Sequence, residues 1–205
     1  MTLLCTGYEP FGDHDTNPSR QVARELDGET VAGHDVVGAV LPVEFDRVAD
    51  ELAALIDEHD PAVVVATGLA AGRTTVSVER VGINVDDAVT VPDNADDSPH
   101  DTWIEPTGAD AHLATIPVVE SVEALLEAGI PARISNSAGT HCCNHALYSL
   151  LENHDVPAGF VHLPLTPEGA VAEAEAPERG GGVQASLPLS LQVEGVRTVL
   201  ETTVA

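Results

Sequence analysis

Residues 132–151 read Ala-Arg-Ile-Ser-Asn-Ser-Ala-Gly-Thr-His-Cys-Cys-Asn-His-Ala-Leu-Tyr-Ser-Leu-Leu. This is a strand, a turn and a helix in succession. Ala132 to Ser135 is a short buried strand, the small-residue run after it is a turn, and Asn144 to Leu151 carries apolar residues at helical spacing. The same alternation recurs along the chain. Thr2 to Thr6, Val36 to Val43, Ala62 to Thr67 and Gly159 to Leu163 are apolar runs of strand length. Ser19 to Leu26, the face made by Phe45, Val48, Ala49, Leu52, Leu55 and Ile56, Val118 to Leu126, and Leu189 to Leu200 are helical. Asn17-Pro18 supplies a cap and a proline at the first helical position. The pattern predicts an α/β fold: a twisted, largely parallel open sheet with helices on both faces. At 205 residues with no interdomain linker, residues 1–205 are expected to form a single domain.

Two regions break the rhythm. Residues 86–110, rich in Asp, Pro, Asn and Gly, read as a long excursion, and residues 166–185, with Glu173, Glu175, Glu178 and Gly180-Gly181-Gly182, read as a mobile acidic loop. Open α/β sheets bind ligands at the carboxyl ends of their strands. Residues 7–19, residues 68–73, the cysteine turn and the end of the strand holding His162 are therefore expected to share one rim.

Composition excludes more than it identifies. Asp plus Glu total 34 against 8 basic residues, all of them Arg, for a formal net charge of -26, which excludes a nucleic-acid partner. The acids are dispersed, as on a solvated surface adapted to high salt, a halophile's composition. Three cysteines make no disulfide framework, so a reducing cytoplasm is expected. There is no basic leader ahead of an apolar run and no apolar stretch long enough to span a membrane.

Cys142 and Cys143 follow a Gly-Thr turn at a helix start, where free N–H groups and the helix dipole favour a thiolate. They read either as a nucleophile or as a pair of buried small hydrophobes, and helical periodicity does not choose between the two thiols. A nucleophilic cysteine needs a base and a group to orient it. His141 and His145 flank the thiols. His162 interrupts an apolar strand and needs a partner there, whereas His14, His34, His59, His100, His112 and His154 read as surface residues. Apolar residues occupy even positions at Val76 and Val78 but odd ones at Val81, Ile83 and Val85, so a bulge or kink is expected at Glu79-Arg80. Glu79 is then a re-aimed carboxylate or a solvated turn residue. Tyr8 and Phe11, between Gly7 and Gly12, could clamp a small flat group or plug the core.

Together these segments resemble the pyroglutamyl peptidase I (pyrrolidone-carboxylate peptidase) family of cysteine peptidases. The resemblance runs from Thr6-Gly7-Tyr8-Glu9-Pro10-Phe11-Gly12 and Asn17-Pro18-Ser19, through residues 68–73, Val78-Glu79-Arg80-Val81-Gly82-Ile83-Asn84, Asp87-Ala88 and Pro92-Asp93-Asn94, to Ser135-Asn136-Ser137-Ala138-Gly139-Thr140, Cys143-Asn144 and Gly159-Phe160-Val161-His162-Leu163-Pro164. It ends with a terminal helix in residues 186–201. Tyr8, Asp13, Leu69 and His141 depart from the residues common at those places. The resemblance implies a single-domain α/β/α sandwich that hydrolyses the amide bond after an N-terminal pyroglutamyl residue of peptides through a thioacyl intermediate. It implies Cys143 as nucleophile, His162 as general base, Glu79 as the residue holding the imidazole, Tyr8 and Phe11 as substrate contacts, no metal or cofactor, and a homotetramer. Cys142 is left with a packing role. The alternatives are a metal-binding protein using His141, Cys142, Cys143 and His145, for which adjacent cysteines are poor chelators, and a nucleoside phosphorylase-like α/β enzyme, for which no phosphate-cradling motif is present.

Overall fold

A computed structural model gives the structure of the protein and describes residues 1–175 and 184–205. Strand β1 (Thr2–Tyr8) leads to helix α1 (Pro18–Leu26), strands β2 (Thr30–Val31) and β3 (His34–Leu41), helix α2 (Phe45–His59) and strand β4 (Pro61–Leu69). Strands β5 (Val76–Glu79), β6 (Val81–Ile83) and β7 (Ala111–Leu113) follow, then α3 (Val118–Glu127), β8 (Ala132–Ser135), α4 (Cys142–Asn153), β9 (Ala158–Leu163), α5 (Pro167–Glu175) and α6 (Leu189–Val204). The main sheet has seven strands in the order β2-β3-β1-β4-β9-β5-β8, and β6 pairs with β7 in a separate ribbon. β3, β1, β4 and β9 run parallel, whereas β5 is antiparallel to β9 and carries β8 parallel to itself.

Residue parity divides the core into two layers, because successive strand side chains point to opposite faces. Leu3, Cys5, Val63, Val65, Val161 and Leu163 pack with Val76 and Val78 against α1, α3 and α6. Leu4, Tyr8, Val64, Ala66, Ala158 and Phe160 pack on the other face against α2 and α4. Tyr8, Gly68 and His162 share the even parity of this second group. Glu79 joins them, because Val78 beside it faces the first layer.

Local chemistry fixes the element ends. Asn17 Oδ1 accepts from the Ser19 N–H and Pro18 opens α1, as the sequence predicts. Asp60 closes α2 in the left-handed conformation, its N–H donating to the Ile56 carbonyl. The parity change at Glu79-Arg80 is not a bulge within one strand: the chain leaves the main sheet after Glu79 and enters the β6–β7 ribbon at Val81. Within residues 86–110, the Asp93 carboxylate ties the chain down by accepting from the N–H groups of Phe45, Ala95 and Asp97. Residues 167–175, expected from the sequence to belong to an acidic loop, form α5, whose alternating Ala and Glu residues are strong helix formers. The rest of that predicted loop, 176–183, lies outside the described residues.

Candidate active site

His162 is the fifth residue of β9 and is buried, at 4% exposure, beside Phe160 at 4.8 Å between ring centroids. In the antiparallel register of β5 and β9, Glu79 lies opposite Phe160, so His162 is its diagonal neighbour on the same face. Long side chains reach across such a diagonal. Glu79 Oε1 stands 2.7 Å from His162 Nδ1, and the carboxylate is wholly buried. A carboxylate only accepts, so Nδ1 carries the proton and Nε2 is the basic nitrogen.

A third member comes from the loop after β4. Arg73 Nη1 donates to Glu79 Oε1 at 2.6 Å, and its Nη2 donates to the Ser137 carbonyl at 3.0 Å. The loop crosses the end of β9, where the Ala70 N–H donates to the Leu163 carbonyl. Arg73 thus links Glu79 to the cysteine turn. Sequence reasoning placed it inside a glycine-rich stretch without a role; the signal was a lone cation six residues ahead of a carboxylate in a chain almost devoid of cations.

Cys143 sits in the first turn of α4 with its thiol against the sheet. A Cβ on Gly68 would lie 2.8 Å from Cys143 Sγ and 2.9 Å from Phe160 Cζ, so only a hydrogen fits. Gly68 is also the register partner of His162 across β4 and β9. The glycine therefore makes room for the sulfur beside the imidazole strand. The first intrahelical donors of α4 are Asn144 and His145, both to the His141 carbonyl, which leaves the N–H groups of Cys142 and Cys143 ahead of the ladder.

The loops after β1 and β4 and the cysteine turn meet, as expected: Tyr8, Phe11, Asn17, Leu69, His141, Cys142 and Cys143 line one slot. The turn arrives there from β8, which runs opposite to β9, and not from the carboxyl end of a strand parallel to β9.

Electrostatics set the resting protonation. Burial alone would raise the Glu79 carboxyl, but the hydrogen bond and charge of His162, reinforced by Arg73, leave it below the ordinary carboxylate range. Burial lowers His162 against the opposing pull of Glu79, with Arg73 lowering it further. The Cys143 thiol is pushed up to about 12, by burial first and by the Glu79 charge second, with Arg73 opposing. The helix-start thiolate expected from sequence is thus outweighed: the dipole is worth at most about 2 kcal/mol, less than the desolvation of a buried anion.

Beside the thiol is a narrow slot lined by Tyr8, Phe11, Asn17, Val43, Leu69, His141, Cys142 and Cys143. Tyr8 is both core residue and slot wall, buried with its hydroxyl donating to the Cys142 carbonyl at 2.9 Å. Phe11 is half-buried next to His141. Cys142 packs into the core at 1% exposure, and burial raises its thiol strongly.

The metal ligands considered from sequence do not converge. His141 Nε2 faces the Val91 carbonyl, His145 Nδ1 faces Asp86 Oδ2 at 2.8 Å, and no group of three His, Cys, Asp or Glu suited to a metal occurs among the described residues. Of the histidines expected at the surface, only His100 is exposed; His14 pairs with Glu173, His112 pairs with Glu152, and His34, His59 and His154 are half-buried.

Comparison with known proteins gives one answer at each level. Residues 1–205 match the family described as pyroglutamyl peptidase. The pyrrolidone-carboxylate peptidase of Chromobacterium violaceum is 49% identical over 170 residues, covering 83% of this chain and 80% of that one. The one from Escherichia fergusonii is 42% identical over 207 residues, covering 99% and 91%. Among solved structures, a mutant pyrrolidone carboxyl peptidase from the hyperthermophile Pyrococcus furiosus superposes with a TM-score of 0.93 at 34% identity, covering 100% of this chain and 98% of that one. The Thermococcus litoralis pyrrolidone carboxyl peptidase gives 0.92 at 34% identity, covering 99% and 93%. With a family match over its whole length and a fold to accord, the chain belongs to the pyroglutamyl peptidase family.

Proposed function

We propose that the protein is a cysteine exopeptidase that releases an N-terminal pyroglutamyl residue from peptides, with Cys143 as nucleophile, His162 as general base and Glu79 as the group that holds the imidazole. One observation carries the reading: a buried Glu79–His162 pair on the same sheet face as a thiol for which Gly68 leaves room. Pyroglutamate is cyclic and uncharged, and the largely apolar walls of the slot at Tyr8 and Phe11 match such a ring in character.

The resting pair is a neutral thiol and a neutral imidazole. When substrate enters, His162 Nε2 takes the thiol proton as Sγ bonds to the pyroglutamyl carbonyl carbon, and Glu79 stabilises the imidazolium that forms. The carbonyl oxygen gains charge next to the N–H groups of Cys142 and Cys143. The imidazolium proton passes to the departing amine as the C–N bond breaks, leaving a thioester. Water then attacks the thioester, its proton going to Nε2 and on to the sulfur, which frees pyroglutamate. Base assistance of this kind is worth about 10²- to 10⁴-fold.

Hydrolysis of a pyroglutamyl amide reporter tests the reading. Cys143→Ala is expected to abolish turnover while Cys142→Ala, which loses only core packing, retains it. The reverse result would refute the assignment, and an inactive, folded wild type across a range of salt would refute the function. The same reading takes the protein to be a cytoplasmic homotetramer of a salt-rich cell, supported by resemblance to the family, by the cysteine usage and by the charge; light scattering in molar KCl tests the assembly.

A further inference from the structure

Arg73 is anchored to all three segments that carry Cys143, His162 and Glu79. Its N–H donates to the Ala70 carbonyl at 3.1 Å, closing a tight turn, and the Ala70 N–H donates to the carbonyl of Leu163, the residue after His162. The side chain spans outward from there. Nη1 donates to Glu79 Oε1 at 2.6 Å, and Nη2 donates to the carbonyl of Ser137, in the cysteine turn, at 3.0 Å.

The carboxylate oxygen is shared. Glu79 Oε1 accepts from Arg73 and stands 2.7 Å from His162 Nδ1, and one carboxylate oxygen has lone pairs for two donors. Arg73 therefore pins the atom that orients the imidazole. It differs from a surface cation such as Arg47, whose side chain is 53% exposed, because Arg73 is 21% exposed and its partner Glu79 is wholly buried. Charge is screened less in such a place. After burial and Glu79, the Arg73 charge acts on both reacting groups, lowering the pKa of His162 and of Cys143 and so opposing Glu79 at each.

We propose that Arg73 is a positioning residue for the thiol chemistry: one guanidinium holds the Glu79 carboxylate on His162 and, through Ser137, keeps the cysteine turn in register with that pair. This rests on the reading of Cys143, His162 and Glu79 given above. Lys would not serve equally, because an ammonium is a single centre without the planar fork whose two nitrogens meet separate acceptors. Arg80 provides the contrast: it grips the same turn through an exposed hydrogen bond to Asn136 Oδ1 at 2.8 Å.

The test takes two profiles against pH in wild type, Arg73→Gln, Arg73→Lys and Arg80→Gln. One is kcat and kcat/KM on the pyroglutamyl amide reporter; the other is the rate of alkylation by iodoacetamide, with Cys143→Ala as the blank. Arg73→Gln is expected to cut kcat by about 10- to 100-fold, as displaced reacting groups do. It is also expected to move the acid limb of kcat/KM up by about half a pH unit or more, because His162 loses a neighbouring positive charge. Alkylation near neutral pH is expected to slow by about 3-fold or more as the thiol loses the same charge. Arg73→Lys keeps the charge without the fork, so its limb stays in place while kcat falls to an intermediate value. Arg80→Gln leaves the limb in place.

An unmoved limb in Arg73→Gln, a kcat there within about twofold of wild type, or the same upward move in Arg80→Gln would overturn the proposal. Should Arg73→Gln not fold, Arg73→Lys decides alone, and a kcat within about twofold of wild type refutes the role. A folded wild type that is alkylated at Cys143 yet never turns over the reporter overturns the functional reading instead. The alkylation rates then still judge Arg73, since equal rates in wild type and Arg73→Gln refute its action on the thiol.

Discussion

At the residue scale, each candidate group of the site is defined by what surrounds it. His162 would titrate at about 6.5 in water, and burial holds it lower, so the imidazole stays neutral to below that value in the free protein. The acid limb of the kcat/KM profile is therefore expected below pH ~6.5. Glu79 holds the imidazole pKa up, so Glu79→Gln is expected to move that limb to still lower pH while cutting kcat by about 100-fold or more. A limb that moves upward would dissociate Glu79 from His162. Both shifts also weaken the fold in acid. The native state resists protonating His162, which removes stability as pH falls from about 6.5 to the folded pKa. The depressed Glu79 contributes stability above its ordinary range that disappears as pH falls through its lowered value. Cys143, His162 and Glu79 were each candidates on sequence, but the protonation state of the thiol was not legible there. Burial and the Glu79 charge, both tertiary, raise it.

At the element scale, the site depends on β4, β9 and β5 presenting one parity to α4. Gly68 is the critical position, because the sulfur and the Phe160 ring occupy the space where its Cβ would go. Gly68→Ala is expected to leave the fold intact at a cost of about 1–3 kcal/mol of overpacking. It should lower kcat on the reporter about 100-fold by moving the thiol. A Gly68→Ala enzyme with wild-type kcat would show that the sulfur does not react from this position. The presence of α1, α2, α3, α4 and α6 follows from apolar spacing that a reader of the chain sees directly, but only α1 has a side-chain cap, and α4 starts at Cys142, two residues before the start that its apolar pattern gives. α5 was missed because its alternating Ala and Glu residues give no apolar face to detect. At Glu79-Arg80 the parity change is plain in the sequence. Its cause is not, because a bulge and a passage from one sheet to another produce the same pattern of apolar residues.

At the scale of the whole molecule, 34 acids face 8 arginines, and two of those cations each serve two acids: Arg47 bridges Glu44 and Glu51, and Arg197 bridges Glu29 and Glu194. The remaining acids repel one another at low salt. Raising KCl from 0.1 to 2 M is expected to increase the melting temperature by about 5 °C or more, since the screening length falls from about 10 Å to under 3 Å. A melting temperature indifferent to salt would mean that the acids are spaced beyond mutual influence. The α/β class, five of the helices, the acidic composition and the residue types able to do thiol chemistry were all written in the order of residues, because composition and period are local properties. Two arrangements were not: β5 runs antiparallel to β9, setting Glu79 diagonal to His162, and Arg73 reaches back to bind both Glu79 and the cysteine turn. Strand order and direction depend on which surfaces bury each other across the fold, and no local pattern encodes that choice.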